Sequence, residues 1–118
     1  EGHPTRFIRD RLRDEGVVTA SELTTHPHNK VTIAGVVTHR QRPATAGGTT
    51  FLNIEDETGL INVVVSKGCW IRHRMVAGTA PALYVRGRLE RSEGVVNVIA
   101  ERIDLLSLQM QTKSRDFR

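Results

Sequence analysis

Three groups of residues in this sequence have types and spacings that can do chemistry: histidine with cysteine, clustered carboxylates, and arginine set among asparagine and a few aromatics. The histidines are His3, His26, His28, His39 and His73, and Cys69 is the single cysteine. None of them falls at the paired spacing of a zinc site. His26 and His28 straddle Pro27, which suits a loop better than a ligand pair. One cysteine allows no internal disulfide, and that fits a reducing compartment, so a cytoplasmic location is expected. Cys69 lies near a predicted helix start, where a thiol pKa can fall; a small buried residue is its simpler role. The run Glu55-Asp56-Glu57 reads more simply as a hairpin turn closed by Gly59 than as a cation site. A phosphate-cradling glycine loop and a nucleophile elbow are both missing. The expectation is a chain without catalytic residues, metal or cofactor of its own.

Binding chemistry is better represented. Lys and Arg number 17 against 13 Asp and Glu, for a net charge of +4 over 118 residues. Such a balance favours polyanions. Only Lys30, Lys67 and Lys113 are lysines, and arginine can both fork onto phosphate and stack on bases. Aromatic residues make up 4% of the chain, so stacking platforms are few: Phe51 and Tyr84 are the candidates, and Trp70 is read as a core anchor. No stretch reaches the ~20 apolar residues that span a bilayer. The opening Glu1-Gly2-His3-Pro4 is not a signal peptide, and without an initiator Met the chain reads as a segment of something longer.

The elements that must position these residues follow from pattern. Residues 4–15 predict a helix, with Pro4 in the first turn, an apolar stripe of Phe7, Ile8 and Leu12, and Gly16 as the stop. Thr19 and Glu22 have capping-box spacing for a helical turn near 20–24, and residues 26–29 form a linker. Val, Ile and Thr then dominate residues 30–40, a long strand bent or bulged at Gly35. Residues 42–48 form a loop. Strands at 49–55 and 60–65 make a hairpin. Ser66 caps a helix over 67–77, with Trp70, Ile71 and Met75 on its buried side. Strands at 82–90 and 95–105 close the pattern around a turn at 91–94. The order strand, strand, strand, helix, strand, strand predicts an all-β chain with small helical additions: a five-stranded Greek-key barrel of the OB type, whose usual ligands are oligonucleotides and oligosaccharides. We divide it into a helical segment and linker (1–29), the barrel (30–106) and a tail (107–118).

Strand alternation sorts the candidates. Leu52, Ile54, Ile61, Val63 and Val65 form the inward set, leaving Phe51, Asn53 and Asn62 outside. An outward Phe51 either stacks a base, worth ~1–3 kcal/mol, or covers the barrel rim. Asn62 and Asn53 either meet a base edge or decorate a solvated strand. Arg40 and Arg42 flank the first loop, Arg86 and Arg88 project from the fourth strand, and Arg91 begins the last turn; His39 ends the first strand. In the binding reading the arginines track phosphate with a salt-dependent affinity. In the other reading they balance Glu90, Glu93 and Asp56 on a solvated face.

Val31–Pro43, Thr50–Val65, Ala82–Glu90 and Gly94–Val98 together resemble the OB segment of bacterial C-family DNA polymerases, the DNA polymerase III alpha subunits. Residues Ser114-Arg-Asp-Phe-Arg118 resemble the C-terminus of the error-prone, damage-inducible branch, and with His39-Arg-Gln-Arg-Pro43 they are the more branch-specific signals. The hairpin alone is generic, being similar to the anticodon-binding OB domain of aspartyl-tRNA synthetases. The resemblance implies a piece of a polymerase used in translesion synthesis, DNA repair and damage-induced mutagenesis, with catalysis in upstream domains. It implies single-stranded template DNA as partner, with Phe51 and Asn62 at the matching groove positions. A module that docks accessory translesion proteins is the alternative.

Overall fold

The computed structural model describes residues 2–109. Five strands form a closed barrel: β1 (Lys30–Gln41), β2 (Thr50–Asp56), β3 (Gly59–Val65), β4 (Ala82–Ser92) and β5 (Val95–Leu105), in spatial order β1-β2-β3-β5-β4. Every neighbour pair is antiparallel except β3 with β5. This is the OB-fold expected from the element order, with a helix between the third and fourth strands.

Closure depends on β1 serving two partners. Its first half, Lys30–Val36, pairs with β4, and its second half, from Val36, pairs with β2. Gly35 sits at the changeover. A Cβ there would lie 2.4 Å from the Glu55 carbonyl oxygen, so only glycine lets the two strands approach this closely. The irregularity in register falls slightly later, between Val37 and His39. Gly87 plays the same part on β4: a Cβ would lie 2.2 Å from the Ile99 carbonyl oxygen, beside a register break. The β4–β5 hairpin turns on Glu93 and Gly94, with φ of 53° and 82°, the paired positive values of a two-residue primed turn.

The barrel interior holds Ile33, Leu52, Ile54, Ile61, Val63, Val65, Leu83, Val85, Val98 and Ile103, all essentially without solvent contact. The inward set predicted from alternation is among them. Each such side chain contributes about 1.5–3 kcal/mol on burial.

Helix α3 (Lys67–Thr79) starts at Ser66, whose hydroxyl accepts from the Cys69 N–H at 3.2 Å. Its packing side corrects the sequence expectation. Ile71 and Met75 are 58% and 78% exposed, while Cys69 and Ala77 are buried and Trp70 is half-buried. Small residues face the barrel because they let the helix backbone sit close to it, and the bulky apolar ones are left outside.

The N-terminal segment is two short helices, α1 (Pro4–Phe7) and α2 (Arg9–Asp14), broken at Ile8. Ile8 and Leu12 are buried with Val17, Ala34, Ala82 and Leu106 in a second small core. Phe7, expected on that stripe, is instead 58% exposed, because the break at Ile8 turns it outward. Gly16 ends α2 with φ of 82°. The Thr19 N–H donates to Glu22 at 2.8 Å, as the capping-box spacing predicts. Most of the tail assigned to 107–118 lies outside the described residues.

Candidate nucleic-acid interface

The outward residues of β2 and β3 meet as register predicts. Asn53 lies opposite Asn62 and Phe51 opposite Val64. On the far side of β3, Asn62 pairs with Asn97 of β5; on the far side of β2, Phe51 pairs with Gln41 and Asn53 with His39. These contacts build a shallow groove of about 300 Å³ lined by Gln41, Phe51, Asn53, Asn62, Val64 and Asn97, with backbone of Leu52 and Val63 flooring it between them. Phe51 is 40% exposed at its end.

None of the lining side chains is charged. The groove presents amide donors and acceptors beside one aromatic ring, which suits a base more than a phosphate. The Asn53 amide donates to the Asn62 carbonyl oxygen at 2.9 Å. That bond orients both amides, leaving the Asn53 oxygen and the Asn62 N–H groups for a ligand. Amide groups in such an array can read base edges, and an exposed ring can stack a base. His39 borders the groove opposite Asn53, its Nδ1 3.1 Å from the Thr38 hydroxyl.

The arginines are distributed differently from the sequence expectation. Arg40 does not face the groove. The bulge between Val37 and His39 changes the side on which later residues emerge, so Arg40 lies opposite inward-facing Leu52. Its guanidinium donates to the carbonyls of Ala77, at 2.7 Å, and Ala80. There it caps the C-terminal end of α3, where cations are favoured. Arg91 is likewise occupied, donating to the Leu23 and His26 carbonyls at 3.1 and 2.9 Å. Arg42 follows groove-lining Gln41 in the chain but turns to α3, its guanidinium carbon 5.5 Å from the Trp70 ring centroid, a cation–π distance. Arg88 is opposite Ile99 and Lys30, and Arg86 is opposite Arg102 and Thr32. Both are on the β4 side of the barrel, beyond β5 from the groove. Tyr84 shares that side and donates its hydroxyl to Glu15, so it is no stacking platform for the groove.

Sequence reasoning missed Gln41, Val64 and Asn97 as groove residues. Asn97 carried a usable signal, a polar residue between Val96 and Val98 in a run otherwise apolar. It also missed the purpose of the acidic turn. Glu57 accepts from Arg9 twice, at 2.6 and 2.7 Å, and from the Thr5 hydroxyl at 2.6 Å. Asp56, 2% exposed, accepts from the N–H groups of Ala20, Thr58 and Gly59. The run is therefore a clasp that fastens the N-terminal segment to the β2–β3 hairpin. Hydrogen bonding from Arg9 holds the Glu57 carboxyl down at about 2. Burial pushes the Cys69 thiol up rather than down, which removes the reactive-thiolate reading. Among the described residues, no group of three His, Cys, Asp or Glu side chains is placed to hold a metal ion, and no helix is long and apolar enough to cross a membrane.

Fold and groove together define a class, and comparison with known proteins agrees with it. The family model "OB-fold nucleic acid binding domain" matches residues 31–106, and the chain belongs to that family. It is homologous to bacterial error-prone DNA polymerases: 52% identical over 119 residues to that of Mycolicibacterium paratuberculosis and 54% identical over 117 residues to that of Nocardia farcinica. These alignments cover 100% and 98% of the chain but 11% and 10% of the relatives, so the chain spans about a tenth of their length. Among solved structures, asparaginyl-tRNA synthetase from Pyrococcus horikoshii superposes with a TM-score of 0.64 at 24% identity, covering 76% of this chain and 22% of the synthetase. That likeness shows the barrel itself.

Proposed function

We propose that this barrel contacts single-stranded template DNA within an error-prone polymerase during translesion synthesis, while the polymerase chemistry belongs to other parts of the longer protein. The observation that carries this reading is the uncharged groove: an exposed Phe51 ring beside the oriented amides of Asn53 and Asn62, with Asn97 next to them. Such a surface stacks one base and hydrogen-bonds its edge. Homology to error-prone polymerases supports DNA over RNA as the strand bound. The likeness of residues 114–118 to the end of that polymerase branch supports a C-terminal position for the domain. Arg42, exposed and next in the chain to groove-lining Gln41, is within reach of a bound strand's phosphate.

Fluorescence anisotropy with labelled oligothymidylate tests the reading. Phe51→Ala is expected to weaken binding by ~1–3 kcal/mol if the ring stacks a base. Unaltered binding in Phe51→Ala and Asn62→Ala proteins that still fold would remove the groove from the mechanism. A second reading, docking of an accessory protein, draws on one observation, the exposed Ile71 and Met75 on α3.

A further inference from the structure

Acidic residues are segregated in this chain. No Asp or Glu occurs between Glu22 and Glu55, or between Glu57 and Glu90. The 42–49 loop and α3 come from those two stretches, and they meet at one pole of the barrel. Lys67 packs over the loop: a Cβ on Gly48 would lie 3.0 Å from Lys67 Cγ and Cδ. Arg42 stacks over Trp70 of α3. The pole thus gathers Arg42, Lys67, Arg72 and Arg74, all exposed. Among the described residues, Lys67, Arg72 and Arg74 make no ion pair with an acidic side chain. The carboxylate at this end, Glu101 of β5, is taken up by Lys30 at 2.7 Å, so the cations of the loop and helix remain in excess, repel one another and attract polyanions.

The groove leads to this pole. Gln41 and Phe51 form its end on that side, and Arg42 follows Gln41 directly. The opposite end has the other charge: Glu90 lies opposite Asn97, and Glu55 follows one residue after Ile54 on β2. We infer that a single strand leaving the groove past Phe51 runs onto this cation-rich pole, where Arg42, Lys67, Arg72 and Arg74 contact its phosphates. Helix α3, roughly 20 Å long at 1.5 Å per residue, provides the track. The inference rests on the groove reading and adds a direction to it: DNA exits toward α3 and away from the β4–β5 turn.

The test uses the 118-residue chain and fluorescent oligothymidylates of ~5 and ~15 nucleotides, bracketing the usual range for one OB barrel. Affinity is measured across a salt series for wild type, Phe51→Ala, the triple variant Lys67→Gln/Arg72→Gln/Arg74→Gln, and a charge-matched control, Arg86→Gln/Arg88→Gln/Arg102→Gln. Circular dichroism melts confirm that each folds. The pole variant is expected to lower the salt slope for the longer probe by about 2, at ~0.7 per lost phosphate contact on a single strand. It should leave the shorter probe nearly unchanged, and the control should have a smaller effect. A slope for the longer probe that stays at the wild-type value, or falls equally in the control, overturns the inference while leaving the groove intact. In that case the Ile71–Met75 stripe is the better candidate for a protein contact. If Phe51→Ala binds both probes like wild type while the pole variant loses slope, the groove reading fails and the pole stands alone.

Discussion

Replacing Glu57 with Gln keeps the shape of the clasp and removes its charge. In the folded protein the carboxylate takes two hydrogen bonds from Arg9 and one from Thr5, and its pKa falls from 4.5 to about 2. At 1.36 kcal/mol per unit, that drop is worth about 3 kcal/mol between the two protonation states. The side chain retains 16% of its solvent contact, which trims the figure to ~2 kcal/mol. The sign follows from linkage: a carboxylate with a depressed folded-state pKa contributes its stability above the unfolded value, near 4.5, and loses it as pH falls through about 2. Urea unfolding at a series of pH values is the assay. Wild type should exceed Glu57→Gln by ~2 kcal/mol at pH 7, and the gap should close progressively below pH 4.5 and be largely gone near pH 2. A gap independent of pH from 7 to 2 would refute the reasoning, since the contribution would then not depend on ionisation. A gap absent at pH 7 would mean the N-terminal segment gains nothing from the clasp.

Other expectations follow from single contacts. Arg40→Met should lower stability by ~1 kcal/mol through loss of the bonds to Ala77 and Ala80, yet leave the salt slope of DNA binding unchanged, as paired unfolding and anisotropy measurements can check. Gly35→Ala forces a Cβ against the Glu55 carbonyl and should cost at least ~1–3 kcal/mol, read as a lower urea midpoint. Asn97→Ala should weaken DNA binding by ~1 kcal/mol, and a double-mutant cycle with Asn62→Ala should show coupling, because the two are cross-strand neighbours that would share one ligand.

Much of the barrel was legible because alternation and turn chemistry are local. The five strands fall within one or two residues of their predicted limits, and Ser66, Gly16 and the Thr19–Glu22 pair do what their spacing implies. Half of the groove was legible for the same reason: Phe51, Asn53 and Asn62 sit on one parity. What failed depended on distance or irregularity. The bulge after Val37 changes the parity of Arg40, and a propensity pattern carries no mark of it. Arg9 and Glu57 are 48 residues apart, so their pairing is a product of the tertiary fold. The buried side of α3 was misread because hydrophobicity was weighed without size, and close packing selected Cys69 and Ala77 over Ile71 and Met75. Asn97 joins the groove only through the β3–β5 crossover, which the order of strands along the chain conceals.

That crossover is the shortest ladder in the barrel. β3 and β5 share three residue pairs, Asn62–Asn97, Val63–Val98 and Val64–Ile99, whereas β4 and β5 are paired over almost their full length. A cylinder opens first along its thinnest seam, and two of the groove's asparagines stand on opposite lips of this one. A base held by both would act as a suture. Occupancy would slow amide exchange at residues 97–99 more than elsewhere and raise the melting temperature of the whole barrel, so the ligand would help keep closed the wall it binds.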